Sequence, residues 1–221
     1  SHSAAYALIA GSIVYQVAQL VRVNVPILRR GVPEDDSYRF TDVACLCACY
    51  VATFGVELGV ISMLPAFFQK TFLLKPQMAG LFASSFAILN FFSRALGGYV
   101  SDRVASRRTA MLVYLAGVSA TMALMSLVDA RWPVAAAVAV TLLAALFVTG
   151  GCGTTYAMVP LVKRRLNGQI SGYVGAYGNV GATLFLTALT FMGPNQFFLL
   201  IAGSSAATFV FCLGFLKEPV N

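Results

Sequence analysis

The sequence contains few charged residues and almost no histidine. Only 10% of its 221 residues are Asp, Glu, Lys or Arg, whereas an average globular domain is about a quarter charged. The one histidine is His2, so chemistry that uses histidine as a metal ligand or as a general acid or base is nearly excluded. The sequence shows neither paired carboxylates nor a nucleophile beside a base, so we expect no enzyme, no metal and no cofactor.

The cysteines do not follow a pattern typical of a disulfide framework or a zinc site. All of them fall inside apolar segments, where exported disulfides and tetrahedral zinc sites with loop spacing are rare. We therefore expect small apolar fillers at these positions. They are Cys45, Cys47, Cys49, Cys152 and Cys212.

Apolar residues dominate instead, at 59% of the chain, with a mean hydropathy of +0.80. Windows of about 20 apolar residues, each long enough to cross ~30 Å of hydrocarbon as a helix, recur along the sequence. The sequence predicts an all-α membrane protein with seven spans. These run from Ala4 to Val23, Val43 to Phe68, Met78 to Ser101, Thr109 to Val128, Val134 to Pro160, Ser171 to Met192 and Gln196 to Leu216.

The basic residues predict the orientation, because short cytoplasmic loops collect Lys and Arg. Three alternate loops hold Arg29, Arg30 and Arg39, then Arg103, Arg107 and Arg108, then Lys163, Arg164 and Arg165. The opposite loops hold only Lys70, Lys75 and Arg131. We expect the chain to start outside a cell inner membrane and to end in the cytoplasm, and we ascribe the net charge of +7 to this orientation signal with no nucleic-acid partner.

The spans are unevenly spaced along the chain. We expect residues 1–23 to form the last helix of an N-terminal half, residues 24–42 a cytoplasmic central linker, and residues 43–221 a six-helix bundle. Without an initial Met, the chain is interpreted as a six-plus-six transporter cut before its sixth helix, with the missing N-terminal half as its partner. A seven-helix receptor has the same orientation, but the last span has neither an Asn-Pro pair nor an internal lysine.

Two ionisable residues, Glu57 and Arg94, lie deep inside predicted spans, where each costs at least ~2.5 kcal/mol and predicts a function. By helical rise, Glu57 lies about 9 Å higher than Arg94, so we expect no direct pair and interpret Arg94 as an anion ligand. The alternative is a salt bridge that ties two helices. The residues predicted to share the layer of Arg94 are Tyr50, Phe54, Thr154, Thr155 and Asn179.

The stretch GGYVSDRVASRR resembles the loop signature of the major facilitator superfamily. Its matching residues are Gly98, Asp102, Arg103, Arg107 and Arg108, although Ala105 or Ser106 replaces the usual second glycine. Gly98 would permit close helix contact, and Asp102 would pair with arginines across the cytoplasmic helix ends to hold one closed state. The alternative is a basic loop that only sets orientation.

The stretch SGYVGAYGNVGATLF has glycine at every third place, with Asn179 among the glycines. It resembles the glycine-asparagine signature of the nitrate/nitrite porter family within that superfamily, and its surroundings resemble bacterial and cyanobacterial nitrate permeases. The stretches FGVELGV and FASSFAILNFFSRALGGYVSD also look like the seventh and eighth helices of that family.

The resemblance implies a site for a planar anion. Arg94 would be one of two arginines that grip the anion, with the second in the N-terminal half, and Tyr50 and Phe54 would line it. Gly175, Gly178, Gly181 and Asn179 would approach the anion or its path, while Ala182 stands where some relatives have another glycine.

The implied function is transport of nitrate, nitrite or both by alternating access, without a cofactor. Exchange and proton-coupled uptake both remain open, and Glu57 is the only deep carboxylate available for proton coupling in this part of the chain. The alternatives are a facilitator of another small anion or organic acid, and a nitrate sensor that does not transport.

Overall fold

The structure is a computed structural model that describes residues 2–29 and 34–218. It divides into two units, one up to Ser37 and one from Tyr38. The first unit contains helix α1 (His2–Arg29) and a short 3-10 turn, Glu34–Asp36. Helix α1 runs six residues past the predicted end at Val23, because helix propensity does not stop where the apolar window stops. Residues 30–33 of the predicted linker, including Arg30, lie outside the described residues.

The second unit, which we call the six-helix unit, contains six membrane-length helical segments. The first is continuous from Phe40 to Phe72 and consists of α2, a π-helical turn and α3. The bounds are α2 Phe40–Tyr50, π turn Val51–Gly55, α3 Val56–Phe72, α4 Pro76–Arg103, α5 Arg107–Ser126, α6 Val134–Val162, a 3-10 turn Arg164–Leu166, α7 Asn167–Leu189 and α8 Pro194–Phe215.

The all-helical membrane architecture predicted from the sequence is confirmed. Of the seven predicted spans, six match helical segments of the described chain that are long and apolar enough to cross a membrane, namely α1 and every segment of the six-helix unit except α7. Helix α7 has the length of a span, 23 residues, but its glycine and polar residues make it less apolar than the others.

The helix ends follow from local sequence. Pro76 and Pro194 occupy the first turns of α4 and α8, where a missing N–H costs nothing. Helix α3 ends at Leu73, which adopts a left-handed conformation with φ 52°. Ser106 caps α5, because its hydroxyl accepts a hydrogen bond of 3.1 Å from the backbone N–H of Thr109.

The hydrophobic core of the six-helix unit forms two clusters. One fills the end where α3 finishes and α4 begins, and its largest side chains are Phe67, Phe68, Phe86, Phe197 and Phe198. The other fills the opposite end and contains Leu46, Met111, Leu115 and Met158. All five cysteines are buried free thiols. The π turn lies where the two clusters meet, so the middle of the unit is less uniformly apolar than its ends.

Helices α4 and α6 pack closely through glycines. A Cβ on Gly97 would collide with the backbone of Gly150, and a Cβ on Gly153 would collide with the carbonyl oxygen of Arg94. Contact through small residues is the usual way for membrane helices to approach closely. A Cβ on Gly98 would lie 3.6 Å from the carbonyl oxygen of Gly153, an ordinary contact.

A Cβ would collide at Gly97, the residue before the predicted Gly98, so Gly97 permits the closest part of this approach; the role of Gly98 in the loop motif stays a prediction. One step along a helix turns the chain by ~100°, so adjacent glycines face different neighbours. Gly98 still takes part through its backbone nitrogen, which lies 2.9 Å from the position of a Cβ on Gly153.

Gly97→Ala is expected to destabilise the protein by about 1–3 kcal/mol, because a methyl group at this contact forces α4 and α6 apart. The measurement is unfolding of the purified protein in detergent. Gly80→Ala is the matched control in the same helix, since no atom of the described residues lies within 4 Å of a Cβ there. Equal stability of the two variants would contradict the close contact.

Candidate anion-binding site

Arg94 of α4 and Glu57 of α3 form a salt bridge, with 2.5 Å between Nη2 and Oε2. The expectation that Arg94 has no acid at its depth is wrong. Counting every residue at the α-helical rise overestimated the height of Glu57, because the π turn before it carries extra residues per turn. The long arginine side chain covers the remaining distance.

The two members of this pair differ in access. The side chain of Glu57 is 5% exposed in the six-helix unit, whereas that of Arg94 is 38% exposed. The carboxylate is thus enclosed by protein, and the guanidinium has an open side. An arginine that is anchored on one side and open on the other can accept a second anion.

Two further donors hold the Glu57 carboxylate. The amide of Asn90 donates to Oε1 at 2.5 Å, and the thiol of Cys152 lies 3.6 Å from Oε2. The sequence interpretation missed Asn90. The sequence feature that indicates Asn90 is an amide side chain inside an apolar span. It lies four residues before Arg94 and therefore on the same helix face.

Aromatic side chains form a wall beside Arg94. The rings of Tyr50 and Phe54 stack with centroids 5.0 Å apart and an interplanar angle of 3°. Tyr156, which the sequence interpretation missed, meets Tyr50 edge-on at 5.0 Å. The guanidinium carbon of Arg94 lies 5.8 Å from the centroid of Phe54, within the range of a cation–π contact.

Two glycines of α7 face this wall. A Cβ on Gly178 would collide with the ring of Tyr50 and would lie 3.0 Å from Cδ1 of Phe54. A Cβ on Gly175 would lie 3.2 Å from the hydroxyl of Tyr156. The glycine signature of α7 thus leaves room for the aromatic side chains that flank Arg94.

The other glycines of the signature have different surroundings. A Cβ on Gly181 would lie 3.0 Å from the Cα atom of Val51, and a Cβ on Gly55 would lie 2.8 Å from the carbonyl carbon of Gly181. Gly181 therefore lets the backbone of α7 touch the π turn. At Gly172, a Cβ would meet no atom of the described residues within 4 Å.

Two further predicted site residues make hydrogen bonds within their own helices. Asn179 is exposed, and its amide donates to the carbonyl oxygen of Gly175 at 2.9 Å. Thr155 is buried; its hydroxyl donates to the carbonyl oxygen of Gly151 at 2.9 Å and lies 3.6 Å from Sδ of Met111. Their binding roles remain predictions.

The loop between α4 and α5 contains the expected ion pair. Nη1 of Arg107 lies 3.0 Å from Oδ1 of Asp102 and also donates to the carbonyl oxygen of Ala157 at 3.3 Å. Arg103 instead places its guanidinium carbon 4.8 Å from the ring centroid of Tyr99. This part of the motif therefore ties the ends of α4 and α6 to the start of α5.

Glu218, just beyond α8, is a third residue that the sequence interpretation missed. Its carboxylate accepts hydrogen bonds from the hydroxyl of Ser106 at 2.6 Å and from the backbone N–H groups of Arg107 at 2.8 Å and Arg108 at 3.2 Å. Arg108 also donates from Nη2 to the carbonyl oxygen of Leu213 at 2.6 Å. The first turn of α5 favours a carboxylate, because its backbone N–H groups have no partner within the helix and because the helix dipole is positive at this end.

Comparison with known proteins identifies relatives over nearly the whole chain, although no family model matches. The nitrate/nitrite transporter NrtP of Nostoc punctiforme is 37% identical over 214 residues, 96% of this chain and 43% of the relative. NrtP of a Picosynechococcus species is 41% identical over 230 residues, with the same shares. This chain belongs to the nitrate/nitrite porter family. The high affinity nitrate transporter 2.5 of Arabidopsis thaliana is 33% identical over 176 residues, 76% of this chain and 35% of that protein.

A solved structure shows the same fold. The human organic anion transporter MFSD10 aligns with a TM-score of 0.67 at 19% identity, covering 86% of this chain and 49% of the transporter. The chain thus spans less than half the length of the NrtP relatives and about half of this structure.

Glu218 predicts a pH-dependent part of the stability. Burial raises the pKa of this carboxyl, but the hydrogen bonds from Ser106 and from the N–H groups of Arg107 and Arg108 outweigh burial and hold the pKa below its ordinary value of 4.5. Because the pKa is lower in the folded state, the stabilisation is complete above about pH 4.5 and is lost as the pH falls through the folded pKa.

Glu218→Gln is expected to be less stable than the wild type at pH 7, with a difference that shrinks as the pH falls below 4.5. The measurement is the unfolding midpoint of both proteins in detergent across this range. A difference that is the same at every pH would show that the charge of Glu218 does not contribute.

Proposed function

We propose that this chain forms the C-terminal part of a transporter that carries nitrate, nitrite or both across a cell inner membrane. The proposal depends most on Arg94, a membrane-embedded guanidinium that is anchored by Glu57 and open on one side. It is supported by identities of 37% and 41% to proteins named nitrate/nitrite transporters. In the proposed orientation the C-terminus is cytoplasmic, and the mechanism requires no covalent chemistry.

The anion would bind on the open side of Arg94. Glu57 engages Nη2, and a guanidinium has five N–H donors in a planar fork. A planar oxyanion can therefore make its first contact through two parallel hydrogen bonds from the remaining donors, before Arg94 turns from Glu57 toward it. The stacked faces of Tyr50 and Phe54 would limit the site to small or flat anions, and a second arginine would come from the N-terminal half.

Glu57 would supply the counter-charge of the empty site. A lone charge in the membrane is costly, so the salt bridge stabilises the state without substrate. With the second arginine in place, a bound anion and Glu57 would together balance the two positive groups of the site. Exchange of one anion for another would then need no proton, whereas symport would require Glu57 to take up a proton together with the anion.

Alternating access would involve the contacts around the site. Helix α7 meets the π turn through Gly178 and Gly181, and smooth small-residue contacts permit one helix to shift against another. The ion pair of Asp102 with Arg107 would hold one closed state, as expected of the loop motif. Asn179 is exposed, so it would be accessible to an anion in this state, whereas the buried Thr155 would need such a shift.

Arg94→Lys in the complete transporter is expected to reduce nitrate uptake by roughly 10- to 100-fold, because lysine keeps the charge but loses the planar fork. The measurement is initial uptake of labelled nitrate by cells without other nitrate transporters, corrected for the amount of protein in the membrane.

Arg131→Lys is the matched control, since Arg131 is exposed in the loop between α5 and α6 and should retain wild-type uptake. Wild-type uptake by Arg94→Lys would remove Arg94 from the site. If the wild type takes up another small anion and nitrate does not inhibit that uptake, the proposed substrate is wrong.

A further inference from the structure

We infer that Asn90 is a positioning residue for anion binding. It would hold the Glu57 carboxylate in place when Arg94 releases Glu57 and turns to the transported anion. This inference depends on the proposed function, because it concerns how Arg94 becomes free to bind a substrate.

The hydrogen bonds around Glu57 divide the carboxylate between two donors of α4. Asn90 donates to Oε1, and Arg94 donates to Oε2. The two donors therefore do not compete for one oxygen atom. Because Asn90 precedes Arg94 by one helical turn, the same face of α4 carries both donors.

The pair cannot separate by moving Glu57. Its side chain is only 5% exposed, whereas that of Arg94 is 38% exposed, so the guanidinium is the member that can turn toward an anion. The carboxylate would then remain inside the protein without its charged partner. A buried charged group that loses its hydrogen bonds is strongly destabilising.

Asn90 reduces this penalty without adding charge. After Arg94 turns away, Oε1 keeps the amide of Asn90, and Oε2 keeps the thiol of Cys152 at 3.6 Å, a weak donor. A lysine or arginine at position 90 would hold Glu57 more tightly, but it would also attract the transported anion. A neutral amide stabilises Glu57 and leaves Arg94 as the cation of the site.

The inference predicts opposite effects for changes at the two residues. Leucine at position 90 has a similar size to asparagine but no donor. Glu57 then relies more on its hydrogen bond from Arg94, and the anion competes less well with Glu57 for Arg94. The KM for nitrate should rise by about tenfold, the effect of losing one hydrogen bond to a charged group. Glu57→Gln weakens the hold on Arg94 and should lower the dissociation constant for nitrate.

The decisive experiment is a double-mutant cycle in the complete transporter, comprising the wild type, Asn90→Leu, Glu57→Gln and the double variant. Uptake into proteoliposomes gives KM and kcat, and the nitrate-dependent rise in unfolding temperature gives the dissociation constant of variants that do not transport. In the Glu57→Gln background, Asn90→Leu should change nitrate affinity by less than about twofold.

The controls separate a positioning role from general damage. Ser84→Leu makes a comparable polar-to-leucine change in α4, at an exposed residue whose hydroxyl bonds to the carbonyl oxygen of Leu81 in its own helix, and it should leave nitrate affinity unchanged. Asn90→Gln retains an amide and should recover part of the affinity lost in Asn90→Leu.

Each outcome has a distinct meaning. An equal loss of nitrate affinity from Asn90→Leu in the wild-type and Glu57→Gln backgrounds, or no loss in either, would overturn the inference while the proposed function stands. If the wild type neither binds nor transports nitrate, the proposed function itself fails.

Discussion

The salt bridge between Arg94 and Glu57 is the interaction around which the middle of the six-helix unit is organised. Each charge alone would be expensive in a membrane, and the pair lies where the two hydrophobic clusters meet. Its members come from different helices, so α3 and α4 must keep their relative position. The glycine contact between α4 and α6 fixes the α4 member of the pair, because the carbonyl oxygen of Arg94 lies against Gly153.

The π turn connects this ion pair to the aromatic wall and to α7. It begins directly after Tyr50, contains Phe54 and ends before the first turn of α3, which carries Glu57. Single π turns inside α-helices are frequent at functional sites. Here the turn directs the stacked rings toward Arg94, and it offers Gly55 as the surface on which Gly181 packs. Gly175, Gly178 and Gly181 of α7 are therefore explained by two neighbours, the aromatic rings and the π turn.

Much of this arrangement could be predicted from the sequence, because apolar spans and buried charges have strong signals. The spans, the position of Arg94 inside a span and the ion pair of Asp102 with a loop arginine all follow from composition and motif. The contact of Arg94 with Glu57 could be stated only as the less favoured alternative, because a π turn has no clear sequence pattern and changes the height of every later residue. The directions of Asn179 and Thr155 depend on helix rotation, which a count of residues along the membrane does not determine. Glu218 lies beyond the last span, and its contact with α5 depends on how distant helix ends pack together.

The proposed transporter carries nitrate, nitrite or both through one site at Arg94. The most direct measurement is counterflow in proteoliposomes that contain the complete transporter, loaded with nitrate and placed in labelled nitrite. Internal nitrate should accelerate the entry of nitrite, and external nitrate should inhibit it. If neither ion crosses the membrane under these conditions, the account is contradicted.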